Sequence, residues 1–192
     1  MGRVFIRILL HLISGNRDMA LAVLDSTQDM EDEDGLKAAA ALIAGRFELA
    51  RPGYENDHSE WFSGATPIEL EAYEIDDAID TALILQSSGE NDRATALLNA
   101  ALESMLPFQR NRGFNAYGYS DVSAYALLGQ SEQALTALEA CAEISYLTGW
   151  QGLKFLPHYG SIRDDPRFSA ALSRISAAAE VERRRAVSEG LL

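Results

Sequence analysis

Residues 89–102 read Gly-Glu-Asn-Asp-Arg-Ala-Thr-Ala-Leu-Leu-Asn-Ala-Ala-Leu, and the fold is decided there. Gly89 is followed five residues later by Ala94, and apolar positions recur at Leu98 and Ala101, four and seven beyond Ala94. Glycine suits the left-handed conformation that ends a helix, because residues with a Cβ resist it. The polar stretch after it starts a second helix, and a small alanine lets the two helices approach closely. One hinge between two helices is therefore expected at Gly89.

The same spacing occurs at Gly15/Ala20, Gly45/Ala50 and Gly129/Ala134. After Ala134, Leu138 and Cys141 repeat the stripe at helical period. The glycines stand 30, 44 and 40 residues apart, which suits a two-helix unit with connections of varying length. The composition agrees. Of 192 residues 47% are hydrophobic, only 5 are Pro, and long Val/Ile/Thr alternations are missing, so a sheet has little to form from. We expect an all-α chain forming a single domain over residues 1–192. Helices are expected at about 3–14, 17–27, 34–45, 67–88, 90–105, 115–128, 131–147, 150–156 and 165–187. Arg51 to Pro67, with two prolines and two glycines, reads as one long loop, and Thr66-Pro67 as the helix start after it.

Charge narrows the function classes. With 29 acidic against 16 basic residues the net charge is −13, which repels phosphate backbones and anionic lipid heads, so no direct nucleic-acid binding is expected. Cys141 stands alone, excluding an internal disulfide, and reads as a small buried apolar residue. Met1 to Ile13 is too short and too interrupted by Arg7 and His11 to span a bilayer. It reads as a packed helix, with no membrane insertion. A cytoplasmic location is expected, or a periplasmic one if the chain serves a membrane-anchored regulator.

Gly89, Ala94, Leu98, Ala101 and nearby Pro107 resemble the tetratricopeptide repeat, whose pattern asks for Gly, Ala, a large apolar residue, a small residue and Pro. The first-helix side departs from the pattern: Ala78 stands near its large aromatic, and two of the spacings exceed the usual ~34 residues. The resemblance implies a right-handed α-solenoid of antiparallel helix pairs with a C-terminal capping helix. It also implies a groove lined by the first helix of each pair, setting Asp76, Asp80, Leu83 and Gln86 beside Tyr119, Ser123 and Ala126. A second resemblance lies in the last third, where Gly149-Trp150 precedes Arg163-Asp164-Asp165-Pro166-Arg167-Phe168. It is similar to the closing segment of tetratricopeptide regions attached to bacterial sensor and transcriptional-activator proteins.

Catalytic signatures are missing. No phosphate-binding glycine loop, dinucleotide GxGxxG, HExxH or GxSxG occurs, and His11, His58 and His158 are scattered. The acidic run Asp29 to Asp34 before Gly35 fails as a calcium loop, because Met30 and Ala41 fall where ligands are required. We therefore expect no cofactor, no metal and no enzyme. Arg183, Arg184 and Arg185, beside Glu180 and Glu182, read as a solvated helix face. Phe108, Phe114, Tyr117, Tyr119 and Tyr125 concentrate in one region, as helix-pair packing or as the lining of a recognition groove.

The expected function is a protein-interaction module holding a peptide or protein partner on a concave helical face. A regulatory or sensory domain of a signalling or transcriptional system is the alternative, and a hydrolase using unmarked carboxylates is the third reading. Val4, Phe5, Ile6, Ile8, Leu9, Leu10, Leu12 and Ile13 leave the first helix almost no polar face. A homodimer through Phe5, Ile6, Leu9, Leu12 and Ile13 is expected, since a terminal repeat otherwise carries a polar outer side.

Overall fold

The computed structural model describes residues 2–27, 36–64, 68–109 and 118–191. Among these the regular structure is helical throughout, with no strand, as the composition requires. The α-helices are α1 (Gly2–Ile13), α2 (Arg17–Asp25), α3 (Leu36–Ile43), α4 (Phe47–Asp57), α5 (Ser59–Ser63), α6 (Ile75–Ser87), α7 (Asn91–Gln109), α8 (Ser120–Leu127), α9 (Ser131–Glu143) and α10 (Pro166–Ser188). Short 3₁₀ turns occur at Ala72–Glu74, Trp150–Lys154 and Pro157–Tyr159.

The four glycine hinges share one backbone geometry. Gly15, Gly45, Gly89 and Gly129 all have φ between 71° and 81°. At each, the glycine N–H donates to the carbonyl three residues back and the next N–H to the carbonyl five back, at 2.8–3.2 Å. These two bonds satisfy helix-end carbonyls that would otherwise lack donors. Asn16, Arg46 and Gln130, which follow three of the glycines, adopt φ of −86° to −98° with ψ of 63° to 67°, and none caps with its side chain. The next helix starts at once, and its first turn is fixed when the fifth residue after glycine donates to the residue after glycine: Ala20 to Asn16, Ala50 to Arg46, Ala94 to Glu90 and Ala134 to Gln130, at 3.0–3.1 Å. All four alanines are completely buried, as are Leu98, Ala101 and Leu138 of the stripes, and Cys141 is buried with them. The spacing read from sequence is thus one corner, built four times.

The chain divides into two compact units, Met1–Ser104 with Lys154–Pro157, and Met105–Leu153 with His158–Leu192. In the first, α1 packs on α2 and α3, α3 on α4, and α4 on α5 and α6. Ile8, Leu12, Leu24, Leu42, Trp61, Ile75 and Ile84 are among its buried side chains. The Arg17 guanidinium crosses from α2 to the end of α3 and donates to the Ala44 carbonyl at 2.9 Å.

The long loop expected over Arg51 to Pro67 is overturned, because α4 continues to Asp57 and α5 follows after His58. Pro52 lies inside α4. Such a proline usually disrupts a helix by removing one N–H and crowding the preceding turn. The adjacent Gly53 has a different reason to be there: a Cβ on it would stand 2.5 Å from Cβ of Ala38 on α3. What reads as turn punctuation is a close helix crossing.

In the second unit α9 packs on both α8 and α10. Val122, Leu135, Leu138, Ile162, Phe168 and Ile175 are buried. The helix expected at 150–156 is replaced by the 3₁₀ turn Trp150–Lys154. The start of α10 follows expectation: the Asp165 carboxylate accepts from the Arg167 N–H at 2.7 Å, and Pro166 occupies a first-turn position where no donor is needed. Arg167 then forks onto both carboxylate oxygens of Glu139 at 2.8 Å and reaches Glu132 at 2.9 Å, tying α10 to α9. From Val181 to Leu191 the helix and its cap are exposed except for a half-buried Ala186. There Glu180 accepts from Arg183 and Arg184, and Arg185 donates to Glu189. Hydrogen bonds from Arg183 and Arg184 hold the Glu180 carboxyl down at about 2.

Candidate interaction surface

The residues expected to line a groove fall on two helices, one in each unit. On α6, Asp76 is exposed, Asp80 and Gln86 are half-buried, and Leu83 is buried. On α8, Tyr119 at the N-cap, Ser123 and Ala126 are buried. Within each helix the spacing of three to four residues gathers them on one side, as the 3.6-residue period dictates.

Around α6 the structure adds partners that the sequence does not announce. Tyr54 of α4 donates its hydroxyl to Asp80 at 2.7 Å. Burial, followed by the Asp80 carboxylate, pushes the Tyr54 phenol far up, so this group is a permanent donor. His58, at the break between α4 and α5, stacks on Trp61 with ring centroids 3.8 Å apart and planes 5° from parallel. Its Nε2 lies 3.4 Å from the Asp77 carboxylate. Burial holds the Asp77 carboxyl above its ordinary range, His58 pulls it down, and Asp80 and Asp76 add to the rise. Both carboxylates are thus engaged by α4 and its junction with α5, which binds those elements to α6. Asp77 remains half exposed and keeps contact with water.

A second network secures the hinge at Gly89. Arg51 of α4 donates to Glu90 at 2.6 Å and to Ser88 at 3.2 Å, while its guanidinium sits 4.9 Å from the centre of the Phe62 ring. Arg93 donates to the same Glu90 at 2.6 Å and to the Phe62 carbonyl. Two cations share one carboxylate there, and α4, α5 and the start of α7 are drawn to the same corner.

Around α8, Ser123 Oγ lies 3.1 Å from the Tyr119 carbonyl and 3.0 Å from the Tyr159 hydroxyl. A serine has one proton, so it donates to the carbonyl and accepts from Tyr159. The Tyr119 hydroxyl donates to the Tyr146 carbonyl at 2.6 Å, and burial pushes its phenol up. Ser161 donates to the Ala126 carbonyl at 2.8 Å. The three α8 candidates therefore spend their polar atoms inside their own unit.

Among the described residues no group of three His, Cys, Asp or Glu is placed to hold a metal ion. The acidic run before Gly35, the Thr66-Pro67 helix start, Phe114 and Tyr117, and the side chains of Pro107 and Phe108 lie outside the described residues. No described helix is long and apolar enough to cross a membrane. Compared with protein-family models, curated proteins and solved structures, the chain finds no match.

Proposed function

We propose that this chain is a protein-interaction module of tetratricopeptide type, stacking antiparallel helix pairs and binding a peptide or protein partner on the surface carrying Asp76, Asp80 and Gln86. One observation carries the reading: four hinges of the same backbone geometry, each followed five residues on by a fully buried alanine. Repetition of one corner at intervals of 30 to 44 residues is how helical repeats are laid out, and such repeats serve as binding scaffolds. The chemistry of α6 supports the choice of surface. Asp76 and Asp77 offer carboxylates to solvent from a helix whose opposite side is rigidly packed, and the overall charge of −13 favours a basic partner.

A photo-crosslinking residue at Asp76, compared with one at Ser173 on the exposed side of α10, tests this in the native lysate. A discrete partner adduct at Asp76, weakened by Asp77→Lys and absent at Ser173, supports the proposal. Equal, unspecific labelling at both positions overturns it.

The alternative is a regulatory domain acting beside a DNA-binding or signalling domain. It is favoured by the closing segment, where Asp165 caps, Pro166 opens α10, Arg167 ties α10 to α9 and Phe168 is buried. Asp165, Pro166, Arg167 and Phe168 of that resemblance thus have structural tasks at the start of α10. Attachment of the chain to an effector domain in the intact gene product would favour this version.

A further inference from the structure

We propose that α6 and the 3₁₀ turn before it form a slot for an arginine side chain of the partner. The inference rests on the reading of α6 as the binding surface and names the chemistry that surface takes. Tyr73 lies in the turn Ala72–Glu74, which runs directly into α6 at Ile75. Tyr73, Asp77 and Thr81 stand at intervals of four residues and so form one row along the helix. The row descends from solvent into the core: Tyr73 is 80% exposed, the Asp77 side chain 52% exposed, and Thr81 completely buried. At the buried end the Thr81 hydroxyl finds no hydrogen-bond partner, although a helical threonine can bond the carbonyl one turn back. A buried hydroxyl left in that state is costly, and a donor reaching it relieves the cost.

Charge selects a cation as the occupant. From Glu69 to Asp80 there are six carboxylates and no Lys, Arg or His. Glu71 and Glu74 accept each other's backbone N–H in a capping box, and Asp80 accepts from the neutral Tyr54 phenol. These bonds orient the carboxylates without cancelling their charge. Glu48, Glu90, Glu139 and Glu180, by contrast, are each held by an arginine. Asp77, which His58 Nε2 approaches at 3.4 Å, has lone pairs for further donors. Arginine fits this row better than lysine. Its flat guanidinium stacks on an aromatic ring such as Tyr73, and its five N–H groups can serve the Asp77 carboxylate and the Thr81 hydroxyl together. An ammonium group has neither the plane nor the fork.

The probe is the capped peptide Gly-Arg-Gly, titrated into the isotope-labelled full chain at about 0.05 M NaCl and followed by amide chemical shifts. Versions carrying lysine or citrulline, the neutral isostere of arginine, are run alongside. Expected is saturable binding centred on residues 73–81, severalfold weaker with lysine and at least tenfold weaker with citrulline. Tyr73→Ala and Thr81→Val should each weaken binding at least threefold, and Thr81→Ser should retain it. Thr81→Val removes the unpaired hydroxyl, so its melting temperature should stay level or rise while binding falls. Asp92→Asn on α7 should leave binding unaltered. Equal binding of the arginine and lysine peptides, shifts spread over the acidic surface at large, or parental affinity in Thr81→Val overturns the slot. Its failure is separable from failure of the proposed function. A partner adduct at Asp76 without peptide binding removes the slot alone, whereas peptide binding without an adduct removes the protein partner and leaves the slot.

Discussion

Gly53 of α4 and Ala38 of α3 approach so closely that a Cβ at residue 53 would lie 2.5 Å from the alanine methyl. Replacing a helical glycine by alanine ordinarily stabilises by about 0.5–1 kcal/mol, through entropy and propensity. Here the sign should reverse. Gly53→Ala must push α3 and α4 apart and should cost about 1–3 kcal/mol, read as a lower thermal or denaturant midpoint. A higher midpoint would mean that the crossing is looser than described.

The hinge glycines act through backbone conformation alone where space is open. Gly89 has φ of 81° with nothing within 4 Å of an added Cβ. Gly89→Ala should therefore destabilise by about 1–2 kcal/mol, the cost of holding a Cβ in the left-handed region. Ser145 offers the inverse case. It ends α9 at φ of 53° with the same pair of main-chain bonds, from Ser145 to Ala142 and from Tyr146 to Cys141. Ser145→Gly should raise stability by up to about 1 kcal/mol. Chemical denaturation of the two variants should move midpoints in opposite directions.

Enlarging the buried small residue of a corner tests the packing itself. Ala94→Leu and Ala134→Leu each insert bulk where no side-chain surface is exposed, and each should cost on the order of 1–3 kcal/mol. Unchanged melting in both would show that the alanines do not set the helix spacing.

Asp77 yields a pH prediction of definite sign. Its carboxyl is held above the ordinary range by burial first, with Asp80 and Asp76 adding and His58 opposing. A folded-state value above the unfolded one contributes stability at low pH and loses it as pH rises through the folded value. The ionised group is then a net liability. Asp77→Asn should raise the melting temperature at about pH 8, and the gain should fade as pH drops and vanish at about pH 2, where the parent carboxyl is protonated in both states. A loss of stability at pH 8 would show that the His58 contact outweighs burial.

The corners were legible in the sequence because the need they express is local: a left-handed residue, then a small one five positions on. The start of α10 was legible for a similar reason, since Asp165 and Pro166 act on the first turn of the helix that they open. Gly53 was misread because glycine serves two unrelated needs, positive φ and close approach, and only the second depends on a helix fifteen residues away. The pairs Tyr54–Asp80 and His58–Asp77 left no signal at all, joining residues 26 and 19 positions apart with no periodicity between them. Asp76 and Asp80 of α6 could be named, but not Asp77, nor the aromatic and imidazole groups that engage Asp80 and Asp77.

Closure of the corners by main-chain bonds leaves one side chain at each of them uncommitted to the bend. The position after each glycine holds Asn16, Arg46, Glu90 or Gln130, an amide, a cation, an anion and an amide in turn. Since the amide protons and carbonyls complete the bend, side chains of different charge are compatible with it at that position. Arg46 reaches Asp25 and Glu48, and Glu90 receives Arg51 and Arg93. The charge at a corner is therefore set independently of its bend, one hinge at a time.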